Sequence, residues 1–171
     1  MTLGAPARRF RWWHGAAILG AANVVSLWPA GLQGDGAFYT SFQLPPFAPP
    51  DWLFAPMWLV LNVTSLMGLA RVANLGAVDG WRRQVVLVSE GIGWLLFAVF
   101  TTLYFGLHSP VLAAVDTVAG LGAAVVSVAA AAGLDRRAAG LILLRLLWLL
   151  LASAVAVSVA LLNVDPFLSG G

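Results

Sequence analysis

The chain has no cysteine and no lysine, and only 9% of its 171 residues are charged, against about 25% in an ordinary soluble domain. Lacking cysteine, it can form no disulfide, thiolate nucleophile, cysteine-ligated metal site or Fe–S cluster, and its redox compartment is unreadable. Lacking lysine, it can form no Schiff base. No Gly-rich Walker pattern and no serine-elbow motif occurs. Histidine is nearly absent as well: only His14 and His108 exist, and the topology argued below puts them near opposite membrane faces, where they cannot share a metal ion. These gaps predict no metal site, no obligatory cofactor and no conventional catalytic residue. His108 alone could serve as an axial haem ligand, but a turn residue before Ser109 and Pro110 is the plainer account.

What the chain does have is apolar surface, with 61% of its residues hydrophobic. A bilayer core of roughly 30 Å takes about 20 apolar residues as a helix. Five stretches are long enough, at about 12–31, 53–75, 84–106, 110–133 and 137–163, with a loop over 32–52. The expectation is a single domain: an all-α membrane protein, a bundle of five transmembrane helices. A signal peptide competes for the first stretch, because Arg8, Arg9 and Arg11 precede it and Ala30 could mark cleavage, but the run is long for that role. All nine basic residues are arginine, a bias typical of GC-rich bacterial genomes, and the net charge is only +2. Such placement beside apolar runs argues for membrane topology and against a nucleic-acid partner. Arginines gather in the N-terminal arm, at Arg71, Arg82 and Arg83, and at Arg136 and Arg137. The positive-inside rule therefore predicts a cytoplasmic N-terminus and an outer C-terminus.

The segment QGDGAFYTSFQLPPFAPPD between the first two stretches is neither helix nor short turn. Its four prolines forbid a continuous helix. Phe38, Tyr39, Phe42, Phe47 and Trp52 make it strongly aromatic. So much apolar surface predicts a lid folded onto the outer end of the bundle, with a headgroup-level aromatic belt as the alternative. Gly120 and Ala124, four residues apart, predict a close helix contact within the chain, with a dimer seam as the alternative.

Ionisable residues inside apolar spans are expensive in lipid and point to function. They are Glu90, Asp116 and Arg145. Glu90 and Arg145 lie about 10 Å in from the cytoplasmic end at 1.5 Å per residue, so equal depth permits an ion pair; the alternative is that Arg145 snorkels to the interface. Of the eight tryptophans, Trp12, Trp13, Trp28 and Trp81 read as interface anchors. Trp52, Trp58, Trp94 and Trp148 remain as candidates for a site. Flat aromatic walls with few charges suit a large, planar, mostly apolar ligand held by stacking and burial.

The run LPPFAPPDWLFAPMW carries the pattern P-x-x-x-P-P-x-W-x-F-x-x-x-W, with Pro45, Pro49, Pro50, Trp52, Phe54 and Trp58. Further on come YFGLHSPVLAAVD, with Asp116, and the pair Trp148 and Asn163. These residues resemble the tryptophan-rich sensory protein family, which includes the mitochondrial translocator protein or peripheral benzodiazepine receptor. The likeness covers roughly residues 35 to 165.

The resemblance implies a five-helix bundle around a pocket closed by the first loop, often a homodimer, that binds porphyrins as a receptor or transporter. In some members it implies sterol or benzodiazepine-like ligands. Ligand contacts are expected from Phe47, Trp52, Trp58, Trp94, Phe97, Phe100 and Trp148. Some bacterial members are associated with light-dependent porphyrin breakdown, for which the matching residues are Trp58 and Trp148. A third reading is a small transporter that uses Glu90, Asp116 and Arg145 as a coupling path. The chain also departs from the family: Phe97, Phe100 and Ala156 replace polar or tryptophan positions, and no tyrosine and basic residue follow Arg145 to support sterol binding. Glu90 and Arg145 lie outside the family pattern, and the family's helix order would make their pair cross the pocket.

Overall fold

The computed structural model describes residues 9–33, 41–76 and 79–170, the side chains of 29–33 excepted. Among these residues all regular structure is helical: α1 Trp12–Gln33, α2 Asp51–Ala73, α3 Gly80–Thr101, α4 Pro110–Ala132 and α5 Arg136–Leu162. Local chemistry marks the starts. Asp79 accepts the backbone N–H groups of Trp81 and Arg82 at 3.0 and 3.3 Å, so α3 begins at Gly80, four residues before its apolar run. Ser109 accepts the N–H of Leu112 at 3.1 Å, with Pro110 as the first residue of α4. Asp135 caps α5 through the N–H groups of Arg137 and Ala138 at 2.8 and 3.3 Å. The far end of α3 widens into a π-helical turn, Thr102–Gly106, and His108, at φ 55°, reverses the chain into α4.

Helix α2 packs beside α5, α5 beside α4, α4 beside α3 and α3 beside α1, with lighter contacts from α2 to α1 and to α3. Helices α3 and α5 thus face each other across the interior. Glycine sets one of these spacings. A Cβ on Gly68 of α2 would lie 2.8 Å from Ile142 Cγ1 and 3.0 Å from the Ala138 carbonyl oxygen of α5, so only hydrogen lets the two backbones come this close. Gly120 of α4 faces Leu149 and Leu96, each 3.9 Å from where its Cβ would be. That contact lies within the chain.

Polarity in this bundle is inverted. Buried positions include Asn62, Ser65, Ser89, Glu90, Asp116, Thr117, Ser127, Arg145 and Ser153, whereas Leu59, Met67, Ile92, Leu95, Val115, Val125, Leu147 and Leu150 face outward. Water would not tolerate that arrangement, because the apolar area left outside is too large and contiguous. Hydrocarbon would, since polar groups must then turn inward to find partners. Among the described residues four helices are long and apolar enough to cross a membrane: Asp51–Ala73, Gly80–Gly106, Pro110–Ala132 and Arg136–Leu162. They suit an integral membrane protein. The expected first crossing, at about 12–31, falls partly on residues whose side chains lie outside the described set.

Both ends of the bundle are tied by side chains. At the end rich in arginine, Arg71 of α2 donates two hydrogen bonds to Asp135 Oδ2 at 2.9 and 2.7 Å. Burial alone would raise the Asp135 carboxyl, but the bonds from Arg71 and the two capping N–H groups outweigh it and hold the group below the ordinary aspartate value. Nearby, Asn74 clamps the Phe10 backbone, accepting its N–H and donating to its carbonyl, both at 2.8 Å. At the opposite end, Asn163 accepts the Gln43 N–H at 2.8 Å and donates to the Gln43 carbonyl at 3.0 Å, fastening the stretch around Gln43 onto the end of α5; Phe38 and Tyr39 of the expected lid lie outside the described residues. Asp165 accepts from the Ser109 hydroxyl at 2.6 Å and the Val111 N–H at 2.9 Å.

Candidate functional site

The interior is organised around one carboxylate. Glu90 of α3 is fully buried and takes hydrogen bonds from three other helices. Ser65 of α2 donates to Oε2 at 2.6 Å, Ser127 of α4 to Oε1 at 2.7 Å, and Arg145 Nη2 of α5 to Oε2 at 3.0 Å. Arg145 is 3% exposed, so the ion pair is dry. Isolated charges could not be held here; a paired and hydrogen-bonded carboxylate can. Gly93, nearly one turn along from Glu90, leaves the space, since a Cβ there would stand 2.8 Å from Arg145 Nη2. The pair therefore crosses the bundle between two helices that are not close neighbours.

Aromatic rings lie on the loop side of this floor. The Trp94 ring packs among Ala22, Leu66, Leu69 and Ala98 and meets Phe97 edge-on at 5.9 Å. Phe97 in turn lies 5.3 Å from Trp58 of α2. Trp148 of α5 is buried and meets Phe54 of α2 edge-on at 5.6 Å. Such tilted and edge-on pairs each add about 0.5–1.5 kcal/mol beyond area burial. Trp58, Phe97 and Trp94 thus form one run of ring contacts and Phe54 and Trp148 a second, both on the loop side of the Glu90 and Arg145 pair.

The other expected residues lie elsewhere. Phe100 stacks on Tyr104 at 5.8 Å and 10°, and Tyr104 is 6.0 Å from Phe42, which makes a second aromatic group where the loop meets the π turn. Phe47 and Trp52 are 52% and 69% exposed and stand outside the interior wall. Asp116 is buried on α4, but it precedes Ser127 by eleven residues and so lies about 16 Å nearer the loop end at 1.5 Å per residue. Glu90 and Arg145 are brought together; Asp116 is not brought to them.

Sequence reasoning missed Phe54, Asn62, Ser65 and Ser127. Phe54 carried a usable signal, since it precedes Trp58 by four residues and shares its helical face. The serines carried none, because a serine in a helix ordinarily satisfies itself on its own backbone, as Ser89 does on the Val85 carbonyl at 2.7 Å. Outside the interior, two apolar grooves open sideways from the bundle, one between α3 and α4 along Val85, Ile92 and Ala123, the other between α4 and α5 along Val118 and Val157. Among the described residues no three His, Cys, Asp or Glu side chains gather as metal ligands would.

Comparison with known proteins agrees with this architecture. Residues 15–162 match the TspO/MBR family. A tryptophan-rich protein TspO of Chlorobaculum tepidum is 32% identical over 133 residues, covering 74% of this chain and 79% of that protein. A tryptophan-rich protein TspO of Archaeoglobus fulgidus is 32% identical over 132 residues, 77% of this chain and 83% of its own length. Protein CrtK of Rhodobacter capsulatus is 32% identical over a shorter stretch of 73 residues, 43% of this chain and 45% of that protein. With an all-helical bundle, inverted polarity and a family match over most of its length, the chain belongs to the TspO/MBR family.

Proposed function

We propose that this protein is a membrane receptor for porphyrins or similar planar, largely apolar ligands, held inside the bundle and passed on or reported from there. The observation that carries the reading is the aromatic wall of Trp58, Trp94, Phe97 and Trp148 above a neutralised polar floor. Ring faces and edges give a flat ligand large contact area, and few polar groups need matching. In this reading α1 is a fifth crossing, supported by its 22-residue length and its packing along α3, and the N-terminus is cytoplasmic, supported by the arginine placement. The segment around Gln43 acts as the lid, fastened by Asn163 and by Phe42 against Tyr104.

The test is quenching of tryptophan fluorescence by protoporphyrin IX in detergent or nanodiscs. Saturable quenching is expected, weakened by Trp58→Phe and Trp148→Phe together. Quenching that never saturates, or that the double substitution leaves unaltered, refutes the proposal. Light-dependent breakdown of the bound pigment is the second reading. It is favoured by the enclosure of Trp148 and predicts a new absorbing product under illumination that Trp148→Phe abolishes. A path of coupled charges is disfavoured by the distance of Asp116 from the Glu90 and Arg145 pair.

A further inference from the structure

Of the two apolar grooves on the outside of the bundle, the one between α3 and α4 is set apart by charge. Its walls are Val85, Val88 and Ile92 of α3 and Ala119, Ala123 and Val126 of α4, around a volume of about 460 Å³. Gly122 lines it as well, and a Cβ there would meet nothing within 4 Å, so the trough is open where α4 carries its smallest residues. From Trp81 at one end to Ile92 at the other it follows eleven residues of α3, about 16 Å at 1.5 Å per residue. That is half of the roughly 30 Å hydrocarbon core, the depth of one leaflet. A helix from a second copy would run through the whole core, whereas a single lipid chain ends within its leaflet.

The mouth of this groove is basic. Trp81 is 73% exposed and forms its rim with Gln84; an exposed indole at the end of a span sits at headgroup level. The next residue, Arg82, reaches from α3 to the end of α4. A Cβ on Gly133 would overlap Arg82 Nη1 and stand 2.9 Å from its Cζ, so the guanidinium lies against the bare backbone that follows α4. Arg83 turns the other way and donates Nη2 to the Ala73 carbonyl, and Arg71 is engaged by Asp135. Arg82 meets Asp79 at 3.4 Å, Nε to Oδ2, with both side chains about half exposed, an arrangement that contributes little and is easily exchanged. Every described arginine except Arg145 lies at this end of the bundle, against two acidic side chains, Asp79 and Asp135. The field at the mouth is therefore positive. The groove between α4 and α5 ends differently: Val111, which lines it, gives its N–H to the Asp165 carboxylate at 2.9 Å.

We propose that the groove between α3 and α4 is a binding site for an anionic phospholipid, with one acyl chain along Val85, Val88, Ile92 and Ala123 and the phosphate on the Arg82 guanidinium. Any lipid chain can lie on apolar surface that faces a membrane. What selects the headgroup here is a basic side chain that has room over the mouth because residue 133 has no side chain of its own. Basic clefts between membrane helices hold anionic headgroups in this way. Trp81 Nε1 and the Gln84 amide, on the same rim, can donate to phosphate or ester oxygens. The site is separate from the interior of the bundle and does not depend on what binds there.

Native mass spectrometry of the full-length protein released from detergent, with lipid titrated in, reads the occupancy directly. Dioleoyl phosphatidylglycerol and dioleoyl phosphatidylcholine share their chains and differ in net headgroup charge. The first is expected to bind about fivefold tighter, the contribution of one basic side chain near a lipid surface. Arg82→Gln should bring the two lipids level. Arg11→Gln removes an exposed arginine beside α1, a helix that packs on α3 and α2, and should keep the preference. Gly122→Leu, placed in open space, should lower occupancy by both lipids while Tm holds. Equal affinity for the two lipids in the unmodified protein overturns the proposal. An equal fall in preference in Arg82→Gln and Arg11→Gln does so too, because the selectivity would then belong to the basic end as a whole. Occupancy untouched by Gly122→Leu also overturns it. Displacement of phosphatidylglycerol by sn-glycerol 3-phosphate would reduce the site to one for a free anion, and a lipid-free dimer that Gly122→Leu disrupts would give the groove to a second copy; either result overturns the assignment to lipid.

Discussion

Replacing Arg145 with methionine tests whether the buried ion pair is a coupled unit. Methionine keeps most of the stem volume but removes the cation that faces Glu90 at 3.0 Å. Glu90 would remain fully buried, still hydrogen-bonded by Ser65 and Ser127 but without a counter-charge. Breaking a buried pair from one side costs about 3–5 kcal/mol, and the two retained serine bonds place this case near the lower end, at about 3 kcal/mol. For a chain of this length that corresponds to a fall in Tm of about 6–12 °C. The double variant Glu90→Gln with Arg145→Met removes both charges and keeps a glutamine that can bond both serine hydroxyls, so its loss should stay under about 1.5 kcal/mol. Thermal unfolding in detergent, followed by loss of the monodisperse peak in size exclusion, reads the three proteins side by side. A double variant as unstable as the single one would refute the reasoning, because the charge on Glu90 would then not be the source of the cost.

Three further outcomes are expected. Gly68→Ala puts a methyl group 2.8 Å from Ile142 Cγ1 and 3.0 Å from the Ala138 oxygen, and should destabilise the α2 and α5 contact by about 1–3 kcal/mol, whereas Gly140→Ala, with open space around it, should leave Tm unchanged or raise it in the same assay. Asn163→Ala removes both bonds to Gln43 and should raise protease cleavage near Gln43 by about tenfold, at roughly 1 kcal/mol or a little more for the pair. The carboxyl of Asp165 feels burial, which raises it, but bonds from Ser109, Leu168, Val111 and Phe167 outweigh this and hold it below its ordinary 3.8. A depressed value means the group stabilises the fold above its unfolded pKa and loses that contribution as pH falls through the folded one. Asp165→Asn should therefore lower Tm at pH 6 to 7, and the difference should shrink as pH drops below about 4 and through the folded value; a difference that does not shrink on acidification would contradict the assignment.

Much of the molecule was legible before any coordinates. The apolar stretches were read from hydropathy and the loop from its prolines, whereas the caps at Asp79, Ser109 and Asp135, although local, came to light only with the helix ends. The resemblance carried by Trp52, Phe54 and Trp58 pointed to the family that the comparisons show. The site was legible only in part. Glu90 and Arg145 stand out because charge inside an apolar run is conspicuous, but Phe47, Trp52 and Phe100 share the same residue types as the interior wall and lie apart from it. Aromatic identity does not encode direction.

By itself the sequence determined the solvent of this protein, the number and length of its helices, and the depth of each charge along its own helix. Hydropathy and rise per residue are properties of a contiguous run and need no neighbours. The tertiary structure decided which faces meet. That Glu90 of α3 reaches Arg145 of α5 across the interior depends on the rotation of four helices about their axes, and on glycine at 93 leaving room for the guanidinium. Ser65 and Ser127 became ligands of that carboxylate for the same reason, while Ser158, identical in chemistry, turned to the Ala154 carbonyl at 2.8 Å. A hydroxyl bonds whatever lies nearest, and only packing determines what that is.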